Sequence, residues 1–281
     1  MIDRILRSVQ DIPAFPETVR KVVSLLRNED YSVAEVVHVI RYDQGVAANI
    51  LKMSNSAYFG LPQKVRSIQD AVIYLGQKNL LRVLETACTS KFFKRAGGGY
   101  VSDASQLWEH SVAVALMSQI LSKHIRQCED STLYTAALLH DIGKVILGEY
   151  VRESYGRIRR LVSESGYSFL EAEEEVVGIN HADLGGRIAE RWRFPGEIRD
   201  AIAHHHRPDR LGGEAATVPW LVYLADQACL MMGIDGGMDG LAHRGLSGTL
   251  DKFNFHQKDL ERSLVRLSED LQEAKDLISI L

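Results

Sequence analysis

Seven side chains of metal-ligand type interrupt stretches whose apolar residues otherwise recur at helical spacing: His110, His140, Asp141, His181, His205, His206 and Asp226. A fold that buries those stretches must bury the seven as well, and a buried imidazole or carboxylate needs a partner. No equal set of basic residues shares the same stripes. A divalent metal is therefore the simplest common partner, and because a carboxylate can bridge two ions the set suffices for one metal or two.

Each position has a plainer reading when taken alone. His110 precedes Ala113, Val114, Met117 and Leu121 on an apolar stripe, where a single histidine is most often a hydrogen-bonded core residue. In TAALLHDIGKVIL, read as one helix, Leu138, Leu139, Ile142, Val145 and Ile146 form one face and Ala137, His140, Asp141 and Lys144 another. There a buried ion pair between Asp141 and Lys144 competes with a metal. His181 follows Asn180, a candidate N-cap, and Gly185 one turn later admits a second backbone. In AHHHRP, Ile198, Ala201 and Ile202 define the buried side, His205 and His206 continue it, and His204 turns toward solvent or a supporting role. Asp226 is the sole acid in PWLVYLADQACLMM. All these plainer readings would have to hold together, which favours a metal site.

The remaining organisation is helical throughout. Pro16 suits a first helical position ahead of Val19, Val22, Val23 and Leu26. Ser32 with Glu35 is a capping-box pattern, and Ser67 with Asp70 is its aspartate analogue. Gly60, Pro62 and Gly76 punctuate these helices, and hairpin signals are missing, so the expected class is all-α. Gly97, Gly98 and Gly99 mark the sharpest break in composition. The expected organisation is two closely packed helical subdomains, residues 1–96 and 97–281. A glycine-rich stretch runs from Gly233 to Gly248. The tail carries Leu260, Leu264, Leu267, Leu271 and Leu277 among charges, an amphipathic surface helix. Tyr58, Phe59 and Trp192 could serve recognition, with core packing the simpler role.

Composition narrows the function. The 281 residues, 46% hydrophobic, are enough for a substantial core, and a formal charge of −4 gives no basic footprint for extended binding of DNA or RNA. Cys88, Cys128 and Cys229 are odd in number and widely spaced, which fits reduced thiols and a cytoplasmic setting. No signal peptide and no membrane span are expected.

The ordered motifs WEHS at 108–111, LLHDIGK at 138–144, HADLG at 181–185, AHHHRP at 203–208 and LAD at 224–226 resemble the HD superfamily of metal-dependent phosphohydrolases. IPAFPETV at 12–19, YDQGVAANILKMSNSAYFG at 42–60, SIQDAVIYLG at 67–76 and the segment 178–208 resemble more specifically the HDOD family, the HD-related output domains of bacterial signalling. The second half is thereby expected to be an HD-type helical bundle. Two departures stand out. Gln44 occupies a position where the family commonly has proline, and this chain keeps a ligand set that members of the family have typically lost in large part. The related HD-GYP phosphodiesterases carry a Gly-Tyr-Pro motif after the double histidine; here Arg207, Pro208 and Asp209 follow, which argues against cyclic di-GMP hydrolysis by that route.

Two functions follow from these resemblances. The HDOD likeness implies a regulatory module that acts through a signalling partner supplied in trans. The HD likeness implies a phosphohydrolase for a nucleotide or other phosphoester. In it His110, His140, Asp141 and Asp226 would hold one metal, and bridging Asp141 with His181, His205 and His206 another. Asp141 would then be a catalytic ligand and Lys144 a contact to a phosphate oxygen. Imidazole and carboxylate donors without thiolate suit Fe, Mn, Zn or Ni.

Overall fold

Side-chain caps start the helices where the sequence supplies them. The Ser32 hydroxyl accepts the Glu35 N–H at 3.4 Å, and the Asp43 carboxylate accepts the Val46 N–H at 3.0 Å. Ser67 accepts from the Asp70 N–H at 3.0 Å while Asp70 accepts from the Ser67 N–H at 3.1 Å, so the aspartate version of the capping box closes in both directions. Ser168 and Glu171 form the glutamate version. Pro16 lies one position earlier than expected: its carbonyl accepts the Arg20 N–H, which makes it the cap of a helix beginning at Glu17.

The computed structural model describes residues 1–13, 15–26, 28, 30–93, 99–100, 104–124, 130–235, 249–274 and 278–279. In chain order its helices are α1 (Ile2–Asp11), α2 (Glu17–Leu26), α3 (Val33–Ile40), α4 (Gln44–Ser54), α5 (Ile68–Phe93), α6 (Ala104–Ser122), α7 (Asp130–Leu139), α8 (Ile142–Ser165), α9 (Phe169–Val177), α10 (His181–Arg191), α11 (Gly196–His204), α12 (Thr217–Met231), α13 (Thr249–Lys252) and α14 (Gln257–Glu273). Among the described residues there is no strand, and the fold is all-α. No described helix is long and apolar enough to cross a membrane.

Contacts divide the chain into two compact units, Met1–Ile12 with Phe92–Ser268, and Pro13–Lys91 with Glu269–Leu281. The break expected between residues 96 and 97 lies outside the described residues, as do Cys128, Leu277 and most of the glycine-rich stretch, 236–248. In the second unit, Val19, Val22, Leu26, Val36, Ile40, Val46, Ile50 and Met53 on α2, α3 and α4 are almost wholly buried. The Asn55 amide donates to the Val65 carbonyl and its side-chain oxygen accepts the Val65 N–H, both at 2.9 Å, clasping the loop that leads to α5. Helix α5 is broken at Gly76, whose φ of 67° favours glycine.

In the first unit, α6, α7, α8, α10, α11 and α12 pack around one apolar core, with α1 and α9 laid on α8. Trp108, Leu107 and Met117 on α6 are fully buried, and α12 buries Leu221, Val222 and Ala225. Trp192 is core, its ring centroid 4.6 Å from that of Phe92 and 6.0 Å from that of Phe194. Tyr58 and Phe59 are half-buried. Ser263 and Leu267 form the buried side of α14.

Candidate metal centre

The segment LLHDIGK is not one helix. Helix α7 ends at Leu139, His140 and Asp141 form a turn, and α8 begins at Ile142 with the Asp141 carbonyl accepting the Lys144 N–H at 2.9 Å. The leucine spacing runs through this break, which is why the sequence reads as continuous. The turn aims His140 and Asp141 into one space, where a continuous helix would have set them about 100° apart. His181 is the first residue of α10, capped by Asn180, whose side-chain oxygen accepts the Asp183 N–H at 2.7 Å. His205 and His206 lie just past the end of α11; His205 keeps helical torsions and so continues the buried side. His110 and Asp226 project from the middles of α6 and α12.

Close backbone approach brings these pieces together. A Cβ at Gly143 would collide with the main-chain carbonyl of His181, and one at Gly185 would fall 2.8 Å from the Ile202 side chain. Glycine at both places lets the starts of α8 and α10 meet beside α11.

Asp141 is the hub. Its Oδ2 is 3.4 Å from His140 Nε2, 3.7 Å from His110 Nε2 and 2.6 Å from Lys144 Nζ. Its Oδ1 is 3.6 Å from His181 Nε2 and 3.7 Å from His205 Nε2. His206 Nε2 is 2.8 Å from His181 Nε2, and Asp226 Oδ1 is 3.1 Å from His110 Nε2. Ligand atoms of His110, His140 and Asp141 lie within 4.8 Å of one another, and so do those of Asp141, His181, His205 and His206. Six of the seven side chains are no more than 2% exposed, and His206 is half-buried. His204 faces away, lining a surface cavity of about 830 Å³ with Arg199 and Arg207.

The imidazoles are oriented from behind. The Nδ1 atoms of His140, His205 and His110 lie 2.7, 2.7 and 2.9 Å from the carbonyl oxygens of Ala137, Ile202 and Ile234. His181 Nδ1 lies 2.8 Å from Glu173 Oε2, which also accepts the His181 N–H at 3.0 Å. With an oxygen acceptor behind each of the four rings, Nδ1 carries the hydrogen; the Nε2 atoms of His140 and His205 are then turned to the centre as lone pairs, the arrangement found in metal sites, while His110 Nε2 faces the Asp226 carboxylate. The Tyr100 hydroxyl donates to the other Glu173 oxygen.

Three converging atoms, His140 Nε2, His205 Nε2 and Asp141 Oδ1, are buried without a hydrogen-bond partner. Orphaned polar atoms of this kind are costly unless something else satisfies them, so the residues fit a divalent cation. The electrostatics agree. Burial would push the Asp141 carboxyl up, but His140 and Lys144 outweigh it and hold it well below the usual carboxylate range. Burial holds His205 down at about 4 despite Asp141, so that ring is neutral at physiological pH. At His110 and His181 burial is outweighed by Asp226 and Glu173 respectively, and both rings are raised.

The sequence reading missed Glu173 and Tyr100. Glu173 is one of three consecutive glutamates, a pattern that usually marks a solvated face, yet it is fully buried. The available signal is its phase with Phe169, Leu170, Ala172, Val176 and Val177, which places it on the inner side of α9. Tyr100 sits beside the glycine triple, where no periodicity gives it a side.

Fold and centre together define an all-helical protein with a largely buried cluster of imidazoles around a shared carboxylate. The HDOD domain model matches residues 12–208, and the chain belongs to the HDOD family. A protein of uncharacterised function from Treponema pallidum is 23% identical over 70% of this chain and 38% of its own length. Ribonuclease Y of Thermus thermophilus is 31% identical over 36% of this chain and 13% of its own length. The chain thus spans well under half the length of these relatives. Among solved structures, an HDOD protein of unknown function from Geobacter sulfurreducens superposes with a TM-score of 0.73, at 24% identity over 99% of this chain and 97% of its own. A protein from Shewanella amazonensis, provisionally named a phosphohydrolase, gives 0.72 at 20% identity over 97% of each chain. These likenesses establish the fold.

Proposed function

We propose that this chain is an output module of bacterial signal transduction, cytoplasmic, that acts through contact with a protein partner and holds divalent metal in a closed structural centre. The observation that carries this reading is burial: the ligand atoms converge, yet six of the seven side chains are almost wholly withdrawn from solvent. A hydrolase centre must admit a phosphoester and water, whereas a structural centre is closed around its ion. The seven residues of the candidate set, His110, His140, Asp141, His181, His205, His206 and Asp226, are its ligands. When bound, the metal ties the ends of α7, α10 and α11 together.

A second reading, a phosphohydrolase, is supported by Lys144 beside Asp141 and by the half-exposed His206. Lys144 would contact a phosphate oxygen and Asp141 would be a ligand on the reacting side, with the metal supplying Lewis-acid polarisation of the phosphoryl group. Elemental analysis of the purified protein, with a hydrolysis screen on nucleotides and cyclic dinucleotides for the wild type, His140→Ala and Asp141→Ala, separates the two. Bound metal without turnover is the expected result. Metal-dependent turnover abolished by either substitution would overturn the structural reading.

A further inference from the structure

The outer faces of α10 and α11, opposite those that carry His181 and His205, enclose the surface cavity of about 830 Å³ that His204 lines. Four guanidiniums and four carboxylates border it, so its chemistry depends on which charges are already engaged. Asp200 is held by its neighbour Arg199, whose Nε lies 3.0 Å and whose Nη2 lies 2.9 Å from the same oxygen. The Asn180 amide donates to Asp183 at 2.8 Å and to Glu174, and Arg207 Nη1 lies 3.4 Å from Glu174. Among the described residues, Arg187 and Arg210 have neither an ion pair nor a side-chain hydrogen bond, and Glu190 is the one carboxylate of the cavity in that position. Arg187 comes from the middle of α10 and Arg210 from the 3-10 turn Pro208–Arg210 after α11, so an anion bound by both is gripped from two elements.

The rest of the lining is small and apolar. A Cβ at Gly186 would fall 2.9 Å from that of Ala203, so α10 and α11 touch there without a side chain rising between them. Gly178, with a φ of 93°, leaves a second bare stretch beside Ile2, and Ile179 adds hydrocarbon. The volume is far more than a bare anion needs and falls in the range of roughly 300–1,000 Å³ usual for small-molecule pockets.

We propose that this cavity binds a small organic phosphate, with its phosphate group on Arg187 and Arg210 and its carbon skeleton over Gly186, Ala203 and Ile179. Phosphate is the anion that suits two guanidinium forks arriving from different elements, because its several oxygens can serve both, whereas one carboxylate fills a single fork. Arg207, which engages Glu174 through one nitrogen, keeps its other donors for the same group. Glu190, one turn beyond Arg187 on α10, opposes binding and sets a sign that can be measured.

Calorimetric titration of the full chain with AMP, phenyl phosphate, inorganic phosphate and adenosine, each with and without a chelator, tests the site apart from the metal centre. AMP and phenyl phosphate are expected to bind, inorganic phosphate more weakly and adenosine undetectably, with affinities that fall as salt rises and do not change on chelation. Arg187→Gln and Arg210→Gln should each weaken AMP by roughly 5–10-fold, the low end for charge-assisted hydrogen bonds because both side chains are exposed. Glu190→Gln should tighten it by roughly twofold. No binding of AMP or phenyl phosphate at millimolar concentration would overturn the proposal, as would equal affinity for adenosine and AMP. Binding of AMP that disappears on chelation yet survives in both arginine variants would place the phosphate at the metal centre and overturn it too.

Discussion

Glu173 Oε2 holds His181 twice, at Nδ1 over 2.8 Å and at the main-chain N–H over 3.0 Å, with both side chains removed from solvent. The carboxylate fixes the ring's tautomer and its tilt together. Glu173→Leu keeps roughly the volume but removes both acceptor oxygens, so His181 is left free to turn. A loss of metal affinity of roughly 10–100-fold is expected, the range typical of such supporting groups. Titration against a chelator of known affinity measures it, and unchanged affinity would show that the ring is held by packing alone.

Two glycines of α8 should respond in opposite directions. Gly143→Ala drives a Cβ into the His181 carbonyl and should cost about 1–3 kcal/mol, by analogy with overpacked cores. Gly156, on the same helix, has nothing within 4 Å of an added Cβ. Alanine there should stabilise by about 0.5–1 kcal/mol, because glycine loses more backbone freedom in a helix. Thermal or urea denaturation of the pair measures both signs; a neutral Gly143→Ala would mean that the α8–α10 junction is looser than described.

Metal should act as a stabilising ligand. At a free concentration 100 times its dissociation constant, an ion bound only by the folded state adds about 2.7 kcal/mol, which for a unit of this size raises Tm by roughly 5–10 °C. Scanning calorimetry of stripped and Mn(II)-loaded protein measures the shift. Coincident melting curves would rule out an ion in the core.

The cysteines make an independent check on burial. Burial pushes the Cys88 thiol up to about 12 and Cys229 well above its ordinary value. A raised value means less thiolate: for Cys88 at pH 8 it is on the order of one part in 10⁴. In a Cys128→Ser background, an aromatic disulfide reagent should therefore react with neither thiol of the native protein and with both in guanidinium. Rapid labelling under native conditions would contradict the packing around α5 and α12.

The converging set was legible in the sequence because its members interrupt apolar patterns. His204 could be set aside for the same reason, by its phase against Ile198, Ala201 and Ile202. Helix starts were legible wherever a Ser, Asp or Asn carries its own cap. Other features depend on contacts distant in sequence. The turn at His140 and Asp141 is invisible because leucines and isoleucines continue on both sides of it. Glu173 is hidden in a run of three glutamates until α9 lies down on α8. The membership of residues 1–12 in the unit that begins at Phe92 follows from contact with α8, including Arg4 over the Tyr150 ring, and no local pattern encodes a partner so remote.

Five of the seven ligand-type side chains, His140, Asp141, His181, His205 and His206, stand at helix ends, and those ends meet only after α7, α8, α10 and α11 have docked. An ion bound there is therefore expected to be captured late in folding, after these helices have docked. Metal should lengthen the lifetime of the native state by slowing its unfolding while leaving the folding rate almost unchanged. A stripped chain would then assemble as fast as a loaded one and differ in how long it stays assembled, a distinction that stopped-flow refolding and unfolding in the presence of a chelator would expose.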